Sequence, residues 1–218
     1  MRSAQERLRA VIDLAVAPVL KAHGFKKQAK TFWLAGEGAW GVANFQSSAR
    51  GERCAGRFTV NLGVALERLR DVSVGWTGER PKESDCHMRE RLGFLLPDRL
   101  PQDYWWAVDP DTDLARLGDE MAALMAEVVV PFLVARTSEK ALRDRWLDDV
   151  PGMGPGELRY LRLLLERAGP AERLEDVRRE EERRDTPGYL EEREERGDAL
   201  RRALEAADNP ATLITFRR

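Results

Sequence analysis

Residues 58–65 read Phe58-Thr59-Val60-Asn61-Leu62-Gly63-Val64-Ala65, and this stretch decides the fold. Large apolar side chains alternate with small or polar ones, which gives a strand one apolar face and one polar face. Two shorter runs of strand type precede it, at Thr31–Leu34 and Trp40–Ser47, and a glycine-bounded loop of hairpin length separates them. Together with the full third run, Arg57–Leu66, they predict an antiparallel meander with one buried face.

Helical patterns lie on both sides of these strands. Apolar positions at helical spacing predict a first helix from about Ala4 to His23, in which Pro18 should cost one backbone hydrogen bond and bend the helix. A second long helix begins at Asp111 or Thr112 and carries a continuous apolar stripe as far as Phe132. Before it, 104–108 can form a fourth strand or a buried turn, and we expect both helices to cover the sheet.

Charge is concentrated in the last third of the chain. The sequence has 218 residues, of which 43% are apolar and 34% charged, and the formal net charge is −2. Glutamate and arginine dominate beyond Pro170, whereas apolar and polar positions alternate upstream. We predict an α+β domain at 1–150, with a sheet of three to five strands packed against two long helices, and a charged helical C-terminal extension at 151–218.

The expected environment is the cytoplasm. The first residues lack the apolar segment of a signal peptide, and no apolar run is long enough for a membrane span. Cys54 and Cys86 are far apart in sequence, so we expect free thiols. The balanced charge makes nucleic acid a less favoured partner than protein, and we expect no membrane association.

One loop segment combines an imidazole with two guanidinium groups. His87, Arg89 and Arg91 alternate along 86–93, and together they would suit a phosphate or carboxylate, with His87 able to transfer a proton. The alternative is structural. His87 would then pack against Trp105 or bond a backbone carbonyl, and the arginines would pair with local acids such as Asp85 and Glu90.

Polar and aromatic side chains from neighbouring segments extend this candidate site. Gln46 and Asn61 are unusual in strand-favouring runs and could line a polar pocket with His87, and Trp105 and Trp106 would form its aromatic wall. Alternatively, the two amides simply satisfy the solvated face of the sheet.

The sequence gives little support for several kinds of catalytic or cofactor site. A two-histidine metal site would have to bring His23, at a helix end, beside His87. The chain contains no G-x-S-x-G nucleophile elbow, and the glycines of 152–156 lack the lysine of a phosphate-binding loop. We therefore predict no metal, no cofactor and no assignable catalytic residue.

The order of these pieces resembles the bacterial domain-of-unknown-function family 4304 over about residues 8–135. The stretches that carry the resemblance are Leu20–Lys27, Thr31–Trp33, Phe45–Ser47, Phe58–Val64, Cys86–Gly93 and Asp103–Trp106. The resemblance implies a shared fold and no activity, and the C-terminal extension lies outside it.

Three functions remain open on these grounds. The leading hypothesis is a small protein-binding module, of immunity-protein or antitoxin type, that binds through the sheet face or the acidic-leaning C-terminal helices. The second is an enzyme or binding domain for a phosphorylated or nucleotide-like molecule at the His87/Arg89/Arg91 pocket. The third is self-association, in which apolar positions of the extension pack between chains, namely Leu174, Val177, Leu200 and Leu204.

Overall fold

The alternating stretch forms the longest strand of a six-stranded antiparallel sheet in a computed structural model of the chain. The structure describes residues 3–48, 54–73, 75–96, 103–186, 188–189 and 198. The strands are β1 (Lys26–Gln28), β2 (Thr31–Gly36), β3 (Ala39–Ser47), β4 (Gly56–Leu66), β5 (Met88–Arg91) and β6 (Trp106–Val108). Five strands follow the order β1-β2-β3-β4-β5, and β6 pairs with β4. The predicted α+β class and antiparallel sheet are confirmed. The strands β2, β3, β4 and β6 correspond to expected strand segments, and β1 and β5 bring the sheet to one strand more than the three to five predicted.

Strand β4 is the centre of the sheet because it has three partners. It pairs with β3 along one edge, from Phe58 opposite Ser47 to Leu66 opposite Ala39. On its other edge it pairs with β6 over its first residues and with β5 over Asn61 to Val64. The two short strands thus bring segments 88–91 and 106–108, which are far from β4 in sequence, to the same edge.

The alternation along β4 separates two faces. Phe58, Val60, Leu62 and Val64 point into the main apolar core beneath the helices, and each is fully buried. Their neighbours point to the opposite side, which we call the outer face. On that face the register places Asn61 opposite Asn44 of β3 on one edge and Arg91 of β5 on the other.

In the part of the chain that the structure describes, α-helices and two π-helical turns form the layer on the core face and the C-terminal part. They are α1 (Ala4–Val11), a π-helical turn (Ile12–Val16), α2 (Ala17–Ala22), α3 (Leu114–Leu124), a second π-helical turn (Met125–Val129), α4 (Val130–Val134), α5 (Glu139–Leu147), α6 (Pro155–Ala168) and α7 (Ala171–Arg184). The two long helices predicted from sequence correspond to the runs from α1 to α2 and from α3 to α4.

Each long helix passes a proline by means of a π-helical turn. The Ala17 amide donates to the Ile12 carbonyl, one residue further back than in an α-helix, immediately before Pro18. The same arrangement occurs where the Val130 amide reaches Met125 before Pro131. A wider turn gives room to a proline ring that would otherwise crowd the preceding carbonyl. The backbone hydrogen bond that Pro18 cannot donate is therefore missing at a π-helical turn, which accommodates the proline ring within the helix.

The C-terminal helices fold back onto the first part of the chain. Leu158, Leu161 and Val177 belong to the same continuous core as the sheet. Arg167 of α6 pairs with Asp71 at 2.6 and 2.9 Å, which fixes the end of α6 beside the 3₁₀ turn at 67–72. The boundary near 150 remains a prediction, but contacts of this extent join the two parts through one core.

Part of the predicted extension lies outside the described residues. This applies to Leu200 and Leu204, two of the four apolar positions that were expected to pack between chains. Within the described residues, no helix has both the length and the apolar character needed to cross a membrane.

Candidate functional site

The structure distributes the seven predicted site residues over three environments. The outer face holds Gln46, Asn61, Arg89, Arg91 and Trp105; the interior holds His87; and the main core holds Trp106.

One half of the outer face is sealed by the segment that follows the 3₁₀ turn at 67–72. Trp76 and Cys86 from this segment pack against Trp33, Val42 and Ala65 to form a second apolar cluster. The Trp33 indole also donates to the Pro81 carbonyl at 2.7 Å. This half of the sheet is therefore covered by the chain itself and offers no surface to a partner.

The other half carries a chain of polar contacts that begins with two amides. The Asn61 side-chain amide donates to Gln46 Oε1 at 2.6 Å, and Asn61 Oδ1 accepts from Arg91 Nε at 3.1 Å. Asn61 is almost completely buried by these neighbours, whereas Gln46 is exposed. Gln46 and Asn61 are thus in direct contact, and the third residue of this group is Arg91 rather than His87.

The chain of contacts continues through an aspartate that the sequence interpretation missed. Asp103 accepts from an Arg91 Nη1 group and from the Trp105 indole, the latter at 3.1 Å, and Arg91 lies 5.5 Å from the centre of the Trp105 ring. Partial burial acts to raise the pKa of Asp103, but the hydrogen bonds from Arg91 and Trp105 outweigh it and leave the pKa below its ordinary value. We call Gln46, Asn61, Arg91, Asp103 and Trp105 the outer-face ladder.

Arg89 lies beside the ladder but is bound elsewhere. It makes a two-pronged contact with Glu83, at 2.8 and 3.1 Å, rather than with Asp85 or Glu90. Arg89 and Arg91 do line a common small pocket of about 220 Å³. Both guanidinium groups are nevertheless held by a carboxylate of the same chain, so an incoming phosphate would have to displace one.

His87 is an interior residue and does not join the arginines. Its Nδ1 accepts from the Leu66 backbone amide at 2.9 Å, so Nε2 carries the proton, 3.2 Å from the Leu69 carbonyl. The ring also meets Tyr160 of α6 edge to face at 4.8 Å. Burial lowers the pKa of His87 to about 4. The predicted pocket that includes His87 is therefore corrected, and the structural alternative, a bond to a backbone carbonyl, describes this residue.

Ser73 and His87 are close enough to suggest a nucleophile and its base. Ser73 Oγ lies 2.8 Å from His87 Nε2 and 3.0 Å from the Asp85 carbonyl. Because Nε2 carries the proton and the serine hydroxyl donates to Asp85, the histidine cannot accept the serine proton in this arrangement. The pair is a buried hydrogen-bonded link and not a catalytic dyad.

Trp106 belongs to the opposite face of the sheet. It pairs with Phe58 in register, stacks on that ring at 5.7 Å and donates from its indole to Glu120 at 3.0 Å. Alternation in β6 places it in the core, so its predicted role in the site wall is also corrected. Trp105, one residue earlier, provides the aromatic ring of the ladder.

The two histidines occupy different environments. His23 is exposed at the end of α2, where its Nδ1 lies 2.9 Å from the Val19 carbonyl, whereas His87 is enclosed by the interior contacts described above. Across the described residues, no three His, Cys, Asp or Glu side chains are grouped as metal ligands.

The C-terminal helices use two of their apolar anchors internally. Val177 of α7 is fully buried in the main core, and Leu174 packs against that core. Arg184, near the end of α7, donates to Glu180 and to the carbonyls of Val150 and Met153, at 2.7 to 3.1 Å. Self-association through the extension remains a prediction, but Val177 is buried within its own chain and is not accessible for a contact between chains.

Comparison with known families gave one match. The family model described as "Domain of unknown function (DUF4304)" matches residues 16–135, which is more than half of the chain and extends from the first π-helical turn to the end of α4. Comparisons with curated proteins and with solved structures gave no match.

Proposed function

Since the chain belongs to the DUF4304 family, whose description names no activity, we propose a function from the geometry: it is a protein-binding module that uses the outer-face ladder. The ladder lies next to the sealed half of the outer face and presents Gln46 and Trp105 at the surface. Charge and aromatic area are thus combined in one patch.

The observation that carries the proposal is that the ladder is already internally bonded. Arg91 is held by Asn61, Asp103 and the Trp105 ring, so its position is fixed before any partner arrives. Arginine and tryptophan are enriched at the centres of protein interfaces, and a preorganised side chain loses less entropy on binding. The exposed Gln46 amide group and one side of the Trp105 ring would meet the partner.

The same contacts weigh against the phosphate-binding alternative. The pocket of about 220 Å³ at Arg89 and Arg91 is smaller than an ordinary small-molecule site of roughly 300 Å³ or more. Both arginines are paired with carboxylates, and His87 lies in the interior. A phosphate would have to compete with Glu83 or Asp103 for the arginines, and His87 is not beside it to act as a general acid.

The immunity-type or antitoxin-type role and the cytoplasmic location are parts of this proposal. Both cysteines are free, and burial raises the pKa of the Cys86 thiol, which suits a reducing compartment. A second binding surface on the C-terminal helices is compatible with the charge of α7, but the ladder offers the more defined geometry.

Affinity capture from a lysate of the source cells tests the proposal. The full-length chain would be compared with Trp105→Ala, which removes the half-exposed ring, and with Arg116→Ala, at an exposed position on α3. We expect a stoichiometric protein to be captured by the wild type and by Arg116→Ala and to be lost with Trp105→Ala. Equal capture by all three chains would contradict a role for the ladder, and a captured nucleotide that Arg89→Ala abolishes would favour the alternative.

A further inference from the structure

A second cavity, of about 500 Å³, lies on the helix side of β5 and is separate from the outer-face ladder. The register places Glu90 opposite Leu62, so Glu90 points to the helix side while Arg91 points to the outer face. Phe132, Trp146 and Glu157 from helices α4, α5 and α6 form further walls, and the turn at 149–153 adds Asp149 and Met153. The volume is within the ordinary range for small-molecule sites.

Two arginines of this cavity have no acidic partner. Arg136 is half-buried, donates from Nη1 to the Phe132 carbonyl at 3.0 Å and lies 4.0 Å from the centre of the Phe132 ring. Arg145 of α5 lines the cavity beside it. Neither has a carboxylate oxygen within 4.0 Å in the part of the chain that the structure describes. Most other arginines of α5 to α7 do have one, as in the Arg143 pair with Asp144 at 3.0 Å.

The two arginines also act on each other unfavourably. Burial lowers the pKa of Arg136, and the like charge of Arg145 lowers it further, while the opposite charge of Glu90 has a smaller effect in the other direction. A half-buried cation that faces a second cation is costly unless an anion lies between them. The remaining guanidinium donors can satisfy a carboxylate, which arginine recognises through paired hydrogen bonds.

Acidic side chains line the same cavity. Glu157 accepts from the Gly154 amide at 3.4 Å, and burial raises its pKa, with Glu90 acting as a further like charge nearby. The cavity lining contains three acids, Glu90, Asp149 and Glu157, together with the aromatic rings of Phe132 and Trp146. Its third arginine, Arg89, is held by Glu83, so Arg136 and Arg145 are the cations that remain for a ligand. A ligand with several negative charges would be repelled by the acids, whereas one with a single charge of each sign is matched by the arginines at one end and the acids at the other.

We propose that this cavity binds a small zwitterion of the amino-acid type. Its carboxylate would bind Arg136 and Arg145, its ammonium group would face Glu90 and Glu157, and an apolar side chain would contact Phe132 and Trp146. The proposal is independent of the protein-binding role of the ladder, because it uses a different side of β5.

Isothermal titration of the full-length protein with three related probes tests the assignment. The probes are phenylalanine, N-acetylphenylalanine, which lacks the ammonium charge, and phenylalanine amide, which lacks the carboxylate. We expect phenylalanine to bind at least about tenfold more tightly than either derivative, because each loses one charge-assisted contact. Arg136→Gln and Arg145→Gln should each weaken phenylalanine binding by about tenfold, whereas Arg116→Gln should leave it unchanged.

Several results would overturn the proposal. Absence of binding by phenylalanine at millimolar concentration would do so, as would equal affinities of the three probes or binding that is insensitive to Arg145→Gln. Arg145 is exposed, so that variant should fold even if Arg136→Gln does not. Tight binding of N-acetylphenylalanine but not of phenylalanine amide would show a simple carboxylate site and would contradict the role given to Glu90 and Glu157.

Discussion

Lowering the pH from about 8 to about 5 should destabilise the folded protein by about 2 kcal/mol through His87 alone. In the folded state, burial lowers the pKa of His87 from 6.5 to about 4. The unfolded chain therefore binds more protons than the folded chain between these two values. The stabilisation is complete above the unfolded pKa and is lost as the pH falls through this window, to a total of roughly 3 kcal/mol.

The measurement is urea unfolding at several pH values between about 5 and 8, followed by tryptophan fluorescence. His87→Gln should be less stable near pH 8, because the Leu66 amide and the Leu69 carbonyl lose a well-placed partner, but its stability should change less with pH. Glu157→Gln serves as a comparison, because it removes a different buried group that titrates. Burial raises the pKa of Glu157, so its contribution runs in the opposite direction and decreases as the pH rises.

If the free energy of unfolding changed equally with pH in the wild type and in His87→Gln, the claim that burial lowers the pKa of His87 would be wrong. The His87 ring would then have the same pKa in the folded and in the unfolded chain. It would be hydrated in the folded chain rather than enclosed by Leu66, Leu69 and Tyr160. Carboxylates with a lowered pKa, such as Asp71, lose their contribution below this window, so they do not obscure the comparison.

Three further predictions concern individual contacts. Arg184→Ala should lower the free energy of unfolding by about 2 kcal/mol in urea titrations, because it removes the hydrogen bonds to the Val150 and Met153 carbonyls and one of the two arginine partners of Glu180, which keeps Arg183. Gly36→Ala should cost at least about 3 kcal/mol, since its Cβ would lie 1.8 Å from a backbone carbonyl, whereas Gly156→Ala, with open space around it, should stay within about 1 kcal/mol of the wild type. Trp105→Ala should leave thermal stability within a few degrees of the wild type while it abolishes partner capture.

Strand β4 was predictable because its alternation has a period of two over many residues and because its apolar face is a major part of the core. The strands β1 and β5 were not, since Lys26–Gln28 and Met88–Arg91 are short and rich in charge. They are strands because the edges of β2 and β4 supply hydrogen-bonding partners, and a local pattern does not contain that information. The π-helical turns likewise depend on the prolines and on packing between the two long helices.

In the candidate site as well, some residues could be placed from the local sequence pattern, and others only from contacts between distant segments. Gln46 and Asn61 could be placed as neighbours because both lie on predicted strands that pair, whereas Arg91 joins them through β5, which the sequence pattern did not show. His87 lies one residue before β5, at a bend, so the alternation of 87, 89 and 91 does not hold for it. Asp103 was missed, although it directly precedes the aromatic segment, because its role depends on a contact with a strand twelve residues upstream.

Site-specific photo-crosslinking tests the protein-binding role of the ladder most directly. A photoreactive phenylalanine analogue would replace Gln46, an exposed member of the ladder, and, in a control chain, Leu14, which is 80% exposed on the helix layer. If the ladder binds a partner, we expect a single cross-linked protein from position 46 that is absent from position 14 and is lost when Trp105→Ala is added. Cross-linking of the same proteins from both positions, or of none from position 46, would contradict it.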